Sequence, residues 1–198
     1  GLPYGETKKA VPKLISGISK GSHRIKNIVS KLKDFSRQSG STKKSLVKIN
    51  DVIESSITLA QNLLEKYTNK FSYDLSSSCP VVRGNFQEIE QVIINLITNA
   101  CQALTDPEKT IFIRSFFEDN SNNVFIEVVD EGTGIPRANL SKITDPFFTT
   151  KQSKGGTGLG LSVSYSIIQD HGGTLSFVSE LGKGTTATIA FPVTDKEG

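Results

Sequence analysis

Between Asp130 and Leu161 the chain places two glycine clusters around a Pro-Phe-Phe segment, directly after an apolar run that ends on a carboxylate. The run is Val124-Phe125-Ile126-Glu127-Val128-Val129. It leads into Asp130-Glu131-Gly132-Thr133-Gly134-Ile135, then Asp145-Pro146-Phe147-Phe148-Thr149-Thr150-Lys151, then Gly155-Gly156-Thr157-Gly158-Leu159-Gly160-Leu161. The second cluster opens an apolar helical pattern of Leu159, Leu161, Val163, Ile167 and Ile168. A glycine-rich turn at a helix start is an anion site, because free N–H groups and the helix dipole both favour phosphate. The stretch predicts a nucleotide site with Asp130 at one end and the second glycine cluster at the other.

The familiar phosphate loops do not account for it. A Walker loop requires Gly-Lys-Ser/Thr, but Gly182-Lys183 is followed by Gly184. Dinucleotide spacing fails as well: Gly132 and Gly134 precede Arg137, and Gly158 and Gly160 precede Val163. No His-Arg-Asp loop of the protein-kinase type occurs. Other residues must decide.

The 198 residues suffice for one sizeable core and an appendage. Two cysteines, Cys79 and Cys101, lack metal-ligand spacing and fit a reducing compartment. No apolar run is long enough to span a membrane. Residues 8–38 follow a heptad: Val11, Ile18, Ile25 and Leu32 at one position, Leu14, Gly21, Ile28 and Phe35 three residues on. That pattern predicts a long helix whose seam needs a partner helix from a second chain. Residues 1–40 hold nine Lys/Arg against two acids. With Phe35, a seam residue, the single aromatic side chain between Lys8 and Arg37, these bases read as a solvated face rather than a nucleic-acid surface. A polar linker over 38–44 separates residues 1–40 from a second domain over 41–198.

In the second domain, 46–49 reads as a strand, and Asp51-Val-Ile-Glu54 as a capping box opening a helix to Lys66. Strands follow at 71–75 and 80–83, a helix at 86–104, and strands at 110–117 and 123–129 joined by a tight turn. A helix at 158–171 stops at His171-Gly172-Gly173 before strands at 174–179 and 185–191. The order predicts an α+β fold, a two-layer α/β sandwich of helices on largely antiparallel strands, preceded by the long N-terminal helix.

Helix 86–104 carries an unusual stripe. Glu88, Gln91, Asn95, Asn99 and Gln102 recur at three and four residues, opposite a core face of Ile89, Val92, Ile93, Leu96, Ile97 and Ala100. Asparagine is a mediocre helix former, because its amide competes with the backbone. Carboxamide oxygens ligate hard cations such as Mg²⁺, and the NH₂ groups donate to phosphate. A solvated helix face explains the stripe equally well.

Taken in order, these segments resemble the ATP-binding domain of histidine kinases, in the Bergerat-fold superfamily. Gln91-Val-Ile-Ile-Asn95-Leu-Ile-Thr-Asn99-Ala100 resembles its asparagine box, and Asp130 to Ile135 its first glycine box. Asp145 to Lys151 resembles the phenylalanine box, and Gly156 to Leu161 the second glycine box. Lys183-Gly184-Thr185-Thr186 resembles the usual ending. Residues 8–38 resemble the second helix of the family's dimerisation hairpin.

The resemblance implies the roles. Asp130 accepts a hydrogen bond from the adenine amino group, with Gly132, Gly134 and Ile135 beside the base. Asn99 ligates Mg²⁺, and Asn95 contacts phosphate. Residues 142–157 form a lid in which Phe147 and Phe148 are apolar anchors and Lys151 reaches the phosphates. Gly156, Thr157, Gly158, Leu159, Gly160 and Leu161 complete the nucleotide site, with Thr186 on the last strand. ATP and Mg²⁺ are the implied cofactors. The implied partners are a second copy, paired through the N-terminal helix, and a response-regulator receiver domain. The expected location is the cytoplasm, within a larger and perhaps membrane-anchored sensor.

One position favours a phosphotransferase. Hydrolysis needs a base to activate water, and the gyrase-like branch has a glutamate four residues before the metal asparagine. Here that position is Asn95, an amide. The alternatives are a gyrase-like (GHL-type) ATPase or serine kinase of the same fold, or a non-catalytic nucleotide-sensing module. The acceptor histidine is expected outside this chain: His171 belongs to a helix stop, and His23 is followed by Arg24 where the family has an acid.

Overall fold

The structure, a computed structural model, describes residues 43–151 and 156–193 together with Ile15, Gly17, Gly21 and Ser22. Those four positions are helical. The rest of the heptad segment 8–38, His23 and most of the expected linker lie outside the described residues. Two units divide the chain: Thr42–Phe148 with Gly158–Gly198, and Gly1–Ser41 with Thr149–Thr157.

The first unit carries the fold. Its described elements are β1 (Ser45–Val47), α1 (Ile49–Tyr67), β2 (Lys70–Leu75), β3 (Val82–Gly84), α2 (Phe86–Ala103), β4 (Thr110–Glu118), β5 (Asn123–Asp130), α3 (Arg137–Leu140), α4 (Gly160–Asp170), β6 (Thr174–Glu180) and β7 (Gly184–Pro192). A five-stranded sheet in the order β2-β4-β5-β7-β6 forms one layer. In the other layer α2 packs between α1 and α4 and reaches down onto β5 and β7. This is the expected α+β sandwich.

Helix α2 forms because its apolar residues recur at helical spacing and meet the sheet. Ile89, Val92, Ile93 and Ile97 are fully buried and Leu96 nearly so. Each such side chain contributes about 1.5–3 kcal/mol before chain entropy is subtracted. Asn85 caps the helix, its side chain accepting from the Glu88 N–H at 3.0 Å. Strand β5 alternates strictly: Val124, Ile126, Val128 and Asp130 are buried, and the residues between them half-buried. Period-two geometry therefore carries the carboxylate into the helix-facing layer behind three aliphatic side chains.

Three features depart from the sequence expectations. First, α1 begins at Ile49, two residues before the expected cap, with Lys48 at the N-cap and no side-chain cap bond. Ile49 is 1% exposed and draws the first turn into the core. The Asn50 amide donates to Ser76 O at 2.9 Å and its oxygen accepts from Ser115 Oγ at 2.7 Å, fixing that turn to β4. Second, β2 pairs parallel with β4. The chain between them passes through β3 and α2, the long crossover that parallel pairing requires. Third, β1 and β3 form a separate two-stranded sheet, to which Val193 adds a single antiparallel bridge at Val82.

Candidate functional site

Asp130 ends β5 at 8% exposure. Its Oδ1 accepts from the Gly132 N–H at 2.8 Å, so the turn folds back over its own carboxylate. Gly132 has no room for a side chain: an added Cβ would lie 2.6 Å from the Ala103 Cβ and 2.6 Å from Asp130 Oδ1. Gly134 has φ +68° and lies against the Glu180 backbone. The loop is stapled on three sides. The Thr133 N–H donates to Ala103 O at 3.0 Å and the Gly182 N–H to Thr133 O at 2.8 Å. The Ile135 N–H donates to Ser179 Oγ at 2.8 Å. Glu131, an exposed side chain, accepts from the Thr110 N–H at 2.8 Å, which holds its carboxyl below the usual range.

The carboxamides of α2 face the second glycine cluster. Asn95 Nδ2 donates to Ser164 Oγ of α4 at 2.9 Å. A Cβ on Gly160 would fall 2.5 Å from Asn95 Oδ1, so glycine lets the start of α4 lie directly on Asn95. Leu159, at the N-cap of α4, makes no side-chain cap bond. Among the described residues, the Asn99 carboxamide nitrogen is the one buried side-chain N or O atom without a hydrogen-bond partner. Leaving such a group unsatisfied costs about 1–3 kcal/mol, which fits a side chain kept for a group from outside the chain. That nitrogen can only donate, which suits an anionic oxygen, and the oxygen of the same carboxamide is the atom that would hold Mg²⁺. No group of three His, Cys, Asp or Glu able to hold a metal occurs among the described residues.

The predicted apolar anchors behave otherwise. Phe147 is 59% exposed with φ +67°, so it does not anchor the segment into the core. Its N–H donates to Gly158 O at 3.0 Å. Gly158, at φ +68°, lies against the Phe147 carbonyl, so main-chain contacts join the phenylalanine segment to the second glycine cluster. Phe148 is half-buried, its N–H on Asp145 O at 3.2 Å. The buried apolar residue of the segment is Ile143, at 7%. Leu159 turns inward at 5% exposure and Leu161 is half-buried, so these positions offer the site backbone rather than side chain. Lys151, Gly156 and Thr157 belong to the other unit. There the Lys151 N–H donates to Thr149 Oγ1 and the Gly156 N–H to Lys151 O, each at 3.0 Å.

Thr186 lies on the opposite face of β7 from the Asp130 partner. It pairs with Val129 on β5 and with Val178 on β6, and Val178 is 74% exposed. Thr186 therefore lies on the open face of the sheet. Thr185 is the partner of Asp130 and shares its helix-facing side. Two adjacent threonines gave no local signal for choosing between them.

Two further residues escaped the sequence reading as neighbours of the site. Cys101 is fully buried on α2. Burial pushes its thiol up to about 11, and the Asp130 charge adds to the rise. The His171 side chain is fully buried, not merely a helix stop. Its Nε2 accepts from the Asn85 N–H at 2.9 Å and its Nδ1 faces Ile167 O at 2.7 Å. An amide can only donate and a carbonyl only accept, so the ring hydrogen is on Nδ1. Glu88 Oε2 stands 3.7 Å from Nε2. His171 thus locks the end of α4 to the cap of α2, with both nitrogens engaged.

Residues 84–195 match the family model described as histidine kinase-, DNA gyrase B- and HSP90-like ATPase. The chain is 34% identical, over 90% of its length, to the sensor kinase CckA of Brucella abortus, and 31% identical, over 89%, to the sensor histidine kinase ZraS of Escherichia coli. It spans 20% and 37% of those two proteins. Among solved structures it resembles the catalytic domain of the histidine kinase ThkA, with 31% identity and a TM-score of 0.66, over 76% of this chain and 96% of that one. Glycine turns packed on α2 at Ala103 and Asn95, a buried aspartate closing β5 and this family match lead to one conclusion: the chain belongs to the histidine kinase-, DNA gyrase B- and HSP90-like ATPases, and carries an ATP-binding domain of the sensor histidine kinase type.

Proposed function

We propose that this chain binds Mg-ATP and serves as the catalytic part of a protein histidine kinase. In this reading it passes the γ-phosphate to a histidine on a dimerisation hairpin, for relay to a response-regulator aspartate. The bracketing of α2 by the two glycine turns carries the reading. Gly132 lies against Ala103 and Gly160 against Asn95, so a base-binding carboxylate and a phosphate-binding helix start meet along one polar helix face. Asp130 takes the adenine amino group, with Gly134 and Ile135 along the base. The start of α4, from Gly158 to Leu161, takes phosphate. Asn95 has a second amide hydrogen for phosphate besides the one on Ser164. Asn99 holds Mg²⁺, whose charge would offset that of the phosphates during transfer. Lys151, Gly156 and Thr157 are assigned to the phosphates by motif alone.

The phosphotransferase reading stands above the hydrolase reading for want of a placed base on α2. Glu90 Oε1 accepts from Ser55 Oγ of α1 at 2.6 Å. Glu88 lies eleven residues from Asn99, about 16 Å along the helix axis, beside His171. A histidine acceptor attacks directly and needs no activated water. Dimerisation through residues 8–38, a receiver-domain partner and a cytoplasmic setting belong to the same proposal. Titration calorimetry with ATP, with and without Mg²⁺, tests it. Micromolar, Mg²⁺-strengthened binding is expected, and no detectable ATP binding by the folded chain would overturn it.

A further inference from the structure

The hydroxyl of Ser179 is saturated. It receives the Ile135 N–H at 2.8 Å and stands 2.8 Å from both Gly184 O and Thr185 Oγ1. Gly184 O can only accept, so the Ser179 hydrogen goes there. The remaining contact must then run from Thr185 to Ser179: Thr185 donates and Ser179 accepts. With its single hydrogen committed, Thr185 can offer a ligand only lone pairs. Thr185 is also the register partner of Asp130, and directly opposed residues on one sheet face have Cβ atoms about 4.5–5.5 Å apart.

We propose that Ser179 is a positioning residue for base selection: by consuming the Thr185 hydrogen it makes Thr185 an obligate acceptor beside the Asp130 carboxylate. Two acceptors side by side match a 6-amino purine, whose amino group has two hydrogens. They oppose a 6-oxo purine, which presents a carbonyl oxygen. Freed from Ser179, the Thr185 hydroxyl could rotate and donate to that oxygen. Ser179 acts through Thr185 and does not itself touch the base. The inference rests on the proposal that Asp130 binds the adenine amino group.

The test compares the dissociation constants of the whole chain for ATP and for inosine triphosphate, which differs at the 6-position. Wild type is expected to prefer ATP strongly. Ser179→Ala should reduce that preference about tenfold, the scale of one neutral hydrogen bond gained by one base and lost by the other. Thr185→Val should reduce it similarly, Thr185→Ser should retain it, and the double variant Ser179→Ala/Thr185→Val should fall no further than Thr185→Val alone. Equal weakening of both nucleotides in Ser179→Ala would mean a purely structural hydroxyl and overturn the inference, as would additive losses in the double variant. Should Ser179→Ala fail to fold, Thr185→Val decides, and an unchanged preference there overturns it. A wild-type chain that binds no ATP would overturn the function itself, whereas a wild type that binds ATP beside variants of unaltered preference overturns only the role of Ser179.

Discussion

In the proposed site, Asp130 and Asn99 are single positions committed to a ligand at some cost to the fold. Asp130 sits where β5 would otherwise bury a fourth aliphatic side chain. Asp130→Ala is expected to leave the domain folded and to weaken ATP binding roughly 10- to 150-fold, the range for a charge-assisted hydrogen bond; calorimetry with a melting curve measures both. Asn99→Leu removes a buried amide nitrogen that has no partner, so stability should hold, and it removes the amide oxygen proposed to hold Mg²⁺, so the Mg²⁺-dependent part of nucleotide affinity should disappear. Cys101 offers a pH test. Its folded-state pKa of about 11 lies above the ordinary value of 9.0 because burial penalises the thiolate. The thiol favours the folded state fully below pH 9, and that advantage is lost as pH rises towards 11, because only the unfolded chain ionises readily. Roughly 2–3 kcal/mol should be lost across that window. Urea titrations at pH 8 and 11 should show a smaller loss in Cys101→Ala than in wild type.

At the scale of elements, the glycine turns and the α2 cap do separable work. Gly160→Ala would drive a methyl group into Asn95; overpacking of this kind costs about 1–3 kcal/mol, and ATP affinity should fall with it because Asn95 is displaced. Gly172 is a useful contrast. It has φ +72°, and the nearest atom to an added Cβ is 3.9 Å away. Gly172→Ala should therefore lose about 1 kcal/mol through backbone strain alone and bind ATP as wild type does. Asn85→Ala removes the α2 cap and should cost about 1 kcal/mol, or about 2–4 °C in melting temperature for a chain of this size. Much of this was legible beforehand. The periodicity of 86–104 and the apolar run within 123–129 located α2 and β5 almost to the residue, because each is a local property of its own segment. The start of α1 was misplaced because its first turn is held by Ser76 and Ser115, partners that no local pattern reveals.

For the molecule as a whole, the open question is the phosphate acceptor. His171 is excluded by its surroundings: the side chain is fully buried and both ring nitrogens face backbone groups. A ring without a free nitrogen cannot attack phosphorus. The chain is therefore expected to bind Mg-ATP without labelling at His171. When a hairpin helix bearing a histidine beside an acid is supplied, acid-labile label should form on that helix. Incubation with γ-labelled ATP, followed by acid and base treatment, measures this; acid-labile label lost in His171→Gln would refute it.

The sequence by itself determined the kinds of element, their order, the α+β class and the four boxes that mark the nucleotide site. These are local properties: a hydrophobic period, a cap, a glycine where a ligand or helix must come close. Tertiary structure decided what depends on strangers in the sequence. It made β2 parallel to β4, turned Phe147 outward, buried Cys101 beside Asp130, and set Thr185 rather than Thr186 across from that carboxylate. Strand register has a period of two, so a shift of one residue exchanges the faces of every side chain. Which of two adjacent threonines lies opposite Asp130 is therefore decided by pairing across the sheet, and a linear pattern does not contain it.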